Sequence, residues 1–206
     1  MSTFPAMDYS MDFLLDKANA TDGQKIEREK LLTFVNVGDP YDPTDKSDTE
    51  DMNFVVLGKG VEDSSLEFDM DVNTVHDILG NTTTTVGAFT TTQSFDPCYA
   101  EKGSELHRKM LQYLSEKNYA KFSQFDVIVV KTFWVHNVGT EQAPNYYAVA
   151  ELHRNCDVHP TSLGGQDYVN MPLSVTLSDD KIMGWAKYDT TTKTVSFYQP
   201  GETIPA

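Results

Sequence analysis

The sequence predicts an antiparallel β-sandwich or barrel with a single α-helix, and three observations support this fold class. Short segments rich in β-branched and aromatic residues recur along the chain, separated by Gly, Pro, Asp and Asn. Only one segment has the apolar spacing of a helix. A length of 206 residues suits one domain, which can bury roughly 70–75% of its unfolded surface.

Two strands and a long acidic loop open the predicted domain. Residues 31–37 and 53–58 have strand composition. The polar segment 39–51 between them is long for a connection, and such loops are usually functional or disordered. Calcium loops place their ligands around a glycine and end on a bidentate Glu, so a solvated loop is the favoured interpretation. Its carboxylates recur at every third position, at Asp39, Asp42, Asp45, Asp48 and Asp51.

The clearest period-two pattern covers residues 66–71. Apolar Leu66, Phe68 and Met70 alternate with acidic residues, which predicts a strand with an apolar face in the core and a second face of carboxylates. Residues 72–79 fit a strand end or one helical turn. The threonine-rich segment 82–95 predicts an exposed or half-exposed strand, because the branched Cβ of threonine fits a pleated surface.

The helix and the remaining strands lie in the second half of the chain. Ser104 is the predicted helix N-cap, and Asn118 the predicted end. Residues 125–136 are apolar on both faces, which is typical of a central strand. The apolar helix positions are Leu106, Met110, Tyr113 and Leu114. Further strands are predicted at residues 146–153, 172–177, 181–188 and 194–198.

Composition excludes several classes of function. Sixteen Lys and Arg against 31 Asp and Glu give a net charge of −15, which argues against binding to nucleic-acid phosphates or to anionic membranes. We find no readable signal peptide and no apolar run long enough to span a bilayer, so we expect a soluble protein made in the cytoplasm. Two cysteines form no disulfide scaffold.

The sequence contains no recognisable catalytic motif. There is no Gly-x-Ser-x-Gly elbow and no complete glycine-rich nucleotide loop. His153, Cys156 and His159 have metal-like spacing, but zinc requires a fourth ligand and Cys98 is the only other thiol. A buried thiol with two polar histidines is therefore favoured. We predict no catalytic residue, no metal and no cofactor, and surface or core roles for His76, His107 and His136.

Glu67, Asp69 and Asp71, called here the acidic row, could in principle form a set of catalytic carboxylates. The geometry of a strand makes this interpretation unfavourable. Residues two apart on one strand point the same way and cannot flank a scissile bond. A charged, solvated surface is the better interpretation.

Several stretches between residues 13 and 199 resemble, in the same order along the chain, segments of a known protein family. They are FLLDKANATDG at 13–23, LTFVNVGD at 32–39, GVEDSSLEF at 60–68, TTQSFDPC at 91–98 and SLGGQDYV at 162–169. Together they resemble the phage major tail proteins, the tail-tube subunits of long-tailed bacteriophages. The resemblance implies a tail-tube fold: a β-sandwich or partly closed barrel with one flanking α-helix.

The resemblance also implies a structural role and no enzymatic activity. Such subunits assemble in the host cytoplasm as stacked, hexameric rings of the virion tail, through which phage DNA passes without specific binding. Implied partners are further copies of the chain, the tape-measure protein and tail-end proteins, with no membrane. A domain at residues 31–199 would carry an arm at 1–30 and a tail at 200–206.

Three contact regions are implied by this family resemblance. The acidic row would face the lumen, where like charge keeps a phosphate backbone from adhering. The acidic loop 39–51 would be ordered by the next ring. The apolar residues of the arm, Phe13, Leu14 and Leu15, would dock on a neighbouring subunit.

Other classes of protein stay open at this point. The tube protein of a contractile secretion system would share the fold. A ligand-binding β-sandwich would suit the Tyr and Trp content, with exposed aromatics around one pocket. An enzyme with an unrecognised site is the least favoured.

Overall fold

Nine antiparallel strands and one α-helix make up the described part of the protein, a computed structural model that covers residues 3–7, 31–41, 52–59, 61, 64–140 and 142–205. This confirms the predicted mainly β fold with one helix. No helix in those ranges is both long and apolar enough to cross a membrane. The elements are β1 (Leu31–Asn36), β2 (Phe54–Val56), β3 (Leu66–His76), β4 (Thr82–Phe95), α1 (Glu105–Ser115), β5 (Phe125–Asn137), β6 (Tyr146–Pro160), β7 (Leu173–Leu177), β8 (Lys181–Asp189) and β9 (Thr194–Tyr198).

The strands form one open sheet in the order β2-β1-β5-β6-β7-β4-β3. The long β6 joins two parts of this sheet, because its residues 146–156 pair with β5 and its residues 148–153 with β8, whereas residues 157–160 pair with β7. Strand β9 lies beside β8. Strand β3 forms the far edge of the sheet, which fixes the position of the candidate site.

Strand β5 is the central strand that its composition predicts. Its residues Phe125–Val130 are all buried. Val127 and Val129 pack in the cluster beneath α1, whereas Ile128 and Val130 pack in a second cluster on the other face. Alternate residues of one strand thus supply two cores, as an apolar strand covered on both faces should.

The helix begins as predicted and ends earlier. The Ser104 side chain accepts a hydrogen bond from the backbone N–H of His107, which satisfies one of the free donors of the first turn. The helix ends at Ser115, and a 3-10 turn over Tyr119–Ser123 comes next. Leu106 and Met110 are its buried apolar residues, and they fix the helix against the sheet.

Candidate assembly surface

The long hairpin, formed by β3 and β4, extends beyond the rest of the sheet. The two strands pair from Leu66 opposite Gln93 to His76 opposite Thr82. Strand β7 pairs with β4 only over its last five residues, Thr91–Phe95. Within the described ranges, residues 82–90 of β4 therefore have a partner on one side only, and β3 has none on its outer side. The residues 72–76, for which the sequence pattern fits strand and helix alike, continue the strand.

The pairing register sorts the hairpin side chains onto two different faces. Directly opposed residues share a face, and alternate residues of a strand point in opposite directions. One face, called here the apolar face, carries Phe68, Met70, Val72, Val86 and Phe89 in its central part. The same face also carries Thr91 opposite Phe68 and, toward the turn, Thr74, His76, Thr82 and Thr84. The other carries the acidic row, Asn73, Val75 and the threonines Thr83, Thr85, Thr90 and Thr92.

The apolar face is not part of the subunit's core, and the expectation that it would be is wrong. Phe68 is 64% exposed and Met70 is 49% exposed, whereas only Leu66 at the base of the hairpin is half-buried. The alternation correctly specifies a strand with two unlike faces. It cannot specify what covers the apolar one, and no described element of the same chain lies over it.

A bulge in β4 keeps the two faces separate along the hairpin. The register shifts between Met70 and Val72, where β4 contributes one residue more than β3. Gly87 lies there, and a Cβ on it would come within 3.1 Å of the Asp71 carboxylate. The rings of Phe68 and Phe89 stack across the strands at 5.7 Å between centroids.

The described ends of the acidic loop are fixed by buried polar residues. The Asn36 side-chain oxygen accepts hydrogen bonds from the N–H groups of Gly38 and Asn53, both at 2.9 Å. The Asp126 carboxylate accepts one from the Tyr41 N–H at 2.7 Å. Burial raises the pKa of Asp126, against the lowering effect of hydrogen bonds from the Tyr41 and Asn155 N–H groups and from the Asn36 side chain. Asp39 lies at the described start of the acidic loop. The other four aspartates, Asp42, Asp45, Asp48 and Asp51, lie outside the described residues.

The start of the predicted arm packs on its own subunit. Phe4 is buried against Tyr147 and Tyr198, and its N–H donates to the Glu202 carbonyl at 2.8 Å. The Trp185 indole N–H donates to the Pro5 carbonyl at 3.0 Å. The sequence gives little sign of this contact, since this short segment has neither a strand nor a helix periodicity. Phe13, Leu14 and Leu15 lie outside the described residues.

The three residues with the spacing of metal ligands, His153, Cys156 and His159, do not converge on one point. A ring nitrogen of His153 lies 2.7 Å from the Ser178 carbonyl, and His159 pairs with Asp157. Cys156 is buried in the core, where desolvation raises the pKa of its thiol to about 12. Its thiol is free, as is that of Cys98, which lies 3.6 Å from the His107 ring. No group of three candidate ligands occurs within the described ranges.

A charged cluster that the sequence did not reveal joins three strands. Glu151 of β6 accepts a hydrogen bond from Lys131 of β5, and it lies 3.7 Å from the Lys181 ammonium of β8. The His153 ring is 3.4 Å away. Burial alone would raise the pKa of Glu151, but the hydrogen bonds and these positive charges lower it to about 2. The cluster ties β5, β6 and β8 together beside the core.

Comparison with known proteins gives structural similarities alone. No protein-family model matches the chain, and no curated protein is significantly similar in sequence. A chain of the PVC sheath-tube complex of an extracellular contractile injection system, in its extended state, superposes with a TM-score of 0.42 and 13% identity over 80% of this chain and 94% of that one.

Two further structures superpose more weakly. The tube-terminating cap of the anti-feeding prophage gives a TM-score of 0.40 and 13% identity over 83% of this chain and 99% of that one. An Hcp protein superposes with a TM-score of 0.28 and 14% identity over 84% of this chain and 99% of that one. We rest no inference on superpositions this weak, and the functional interpretation depends on the long hairpin instead.

Proposed function

We propose that this protein is a structural subunit that polymerises as stacked, hexameric rings to form a phage tail tube, the conduit for DNA ejection. The observation that carries the proposal is the long hairpin, whose two edges have no partner and whose apolar face has no cover among the described residues. Each of these features is costly in a solitary subunit and is resolved by a second copy of the chain.

The unpaired edges have a natural partner in each other. An exposed strand edge presents free N–H and C=O groups and invites pairing with another chain, whereas closure into a barrel removes every edge. The outer edge of β3 in one copy can pair with the free edge of β4, at residues 82–90, in the next. This contact is head-to-tail, so repetition with a closing rotation generates a ring.

The apolar face gives the ring its driving force. Its five apolar side chains are between 44% and 64% exposed in the subunit. Covering apolar surface is worth about 25 cal/mol per Å². Roughly half of the surface of each of these side chains is still exposed, so a neighbouring body that covers the face can drive association.

The acidic row is then left on the opposite face, toward the lumen of the ring. A closed sheet has an inner and an outer side, and the apolar side must meet the protein bodies outside it. The inner wall would therefore carry carboxylates and threonines. Like charge repels the phosphates of passing DNA, and the overall charge of −15 reinforces this repulsion.

Negative-stain microscopy and sedimentation velocity of the purified full chain test the proposal. We expect rings or tubes at concentrations where the matched variant Met70→Lys, which places a charge on the apolar face, stays monomeric. Met70 is half-exposed, so the variant should keep the wild-type circular dichroism. A wild-type chain that stays monomeric at every concentration tested contradicts the proposal.

A further inference from the structure

The tip of the long hairpin is a preorganised turn that displays two aliphatic side chains. The Asp77 carboxylate accepts hydrogen bonds from the N–H groups of Leu79 and Asn81 and from the Asn81 side-chain amide, each at 2.8 Å. These hydrogen bonds lower the pKa of Asp77, that of the Asn81 side chain most, so the carboxylate is charged at neutral pH. The turn is thus held by three hydrogen bonds to an acidic side chain at its base.

The two residues held at this tip are among the most exposed of the described apolar residues. Ile78 is 102% exposed and Leu79 is 81% exposed. Loop tips usually carry small or polar residues, so an ordered turn that presents two large aliphatic side chains indicates a docking contact.

A groove elsewhere on the same chain complements the tip. It has a volume of about 510 Å³ and lies where β1, β5, β6 and β8 come together. Its apolar lining includes Leu32, Val135, Ala148 and Ala186, and Lys193 also lines it. The Lys187 ammonium, in contrast, donates to the Asn145 side chain and lies over the Tyr147 ring. An apolar groove with one lysine in its lining suits two aliphatic side chains beside a carboxylate.

We propose that the hairpin tip of one subunit inserts Ile78 and Leu79 into this groove on a subunit of the adjacent ring. The inference rests on the proposed ring assembly. When hairpins close into a barrel, their turns lie at its rim, which is where the next ring stacks. The tip is fully exposed in its own subunit, so the groove it fills belongs to another copy.

Site-directed crosslinking tests the contact directly. Leu79→Cys subunits are mixed with Thr190→Cys subunits, since Thr190 also lines the groove, and assembled particles are oxidised. We expect a dimer that requires both variants. Leu79→Cys mixed with Glu116→Cys, an exposed position at the end of α1, is the matched control, and wild type gives the background from Cys98 and Cys156. Linkage to the control position, or of Leu79→Cys to itself alone, would overturn the inference.

A second experiment separates this contact from ring formation. The double variant Ile78→Ser, Leu79→Ser should still form rings but need about 30-fold more protein to stack them into tubes, as loss of an interface hot spot does. Leu163→Ser, which alters a 54% exposed leucine outside the hairpin, should stack normally. Tubes of wild-type length from the double variant, or failure to form rings, would refute the tip-to-groove contact. Absence of rings from wild type would instead contradict the proposed function, and the contact with it.

Discussion

Replacing Phe68 by serine should weaken assembly far more than it weakens the fold. Phe68 is 64% exposed in the subunit. An aromatic side chain buries roughly 150–250 Å² in full, so a neighbouring copy would remove roughly 100–160 Å² from water at this position. At about 25 cal/mol per Å², that area corresponds to about 2.5–4 kcal/mol per contact.

The same substitution removes little from the isolated subunit. Its main loss there is the stacked contact with Phe89, worth about 0.5–1.5 kcal/mol. For a chain of this size each kcal/mol shifts the melting temperature by about 2–4 °C. We therefore expect a small shift in melting temperature and, even at the lower figure, a roughly 60-fold rise in the concentration needed for assembly.

Sedimentation velocity across a concentration series measures the assembly threshold, and thermal unfolding monitored by circular dichroism measures the fold. Tyr168→Ser is the matched control, because Tyr168 is 74% exposed but lies outside the hairpin. Equal thresholds for wild type and Phe68→Ser would refute the reasoning. So would an equal loss in the Tyr168 control, since the hairpin would then have no special role.

Other parts of the molecule give three further predictions. Converting all three residues of the acidic row to Lys should leave the subunit's melting temperature within a few degrees of wild type. The same change should slow DNA exit from assembled particles, because the lumen would then attract phosphates. Ejection at the wild-type rate would contradict the lumen assignment. Phe4→Ala should cost about 3–5 kcal/mol of unfolding free energy, because the ring is 2% exposed; an unchanged denaturant midpoint would show that the N-terminal contact is dispensable. The depressed pKa of Glu151 stabilises the fold fully above its ordinary value of 4.5, and this contribution disappears as pH falls through about 2. The Glu151→Gln variant should therefore lose less free energy of unfolding than wild type as the pH falls from 4.5 to about 2. Acid-unfolding curves measure this loss. Parallel curves for the two proteins would contradict a stabilising role of the Glu151 carboxylate.

The elements of the fold are predictable because local pattern decides them. Residues 82–95 and 194–198 are strands at the predicted limits, and Ser104 caps the helix as its side chain suggests. The β-branched and aromatic composition of these strands and the hydroxyl of Ser104 act within a few residues of where they stand. Such local effects can be inferred from sequence.

The features that depend on distant contacts are not predictable in the same way. The alternation at residues 66–71 predicts two unlike faces, but it does not say which part of the protein packs on the apolar one. The prediction that places the apolar face in the subunit's own core is therefore wrong. The packing of Phe4 joins the two chain ends, and the Glu151 cluster joins three strands. Each arises from tertiary pairing that no local spacing records.

A three-dimensional reconstruction of the assembled particle tests the proposed tube most directly. We predict that β3 of each subunit pairs with β4 of its neighbour around a closed inner wall, with Glu67, Asp69 and Asp71 facing the lumen. A reconstruction that places the long hairpin on the outer surface, or pairs it only within its own subunit, would contradict the proposal.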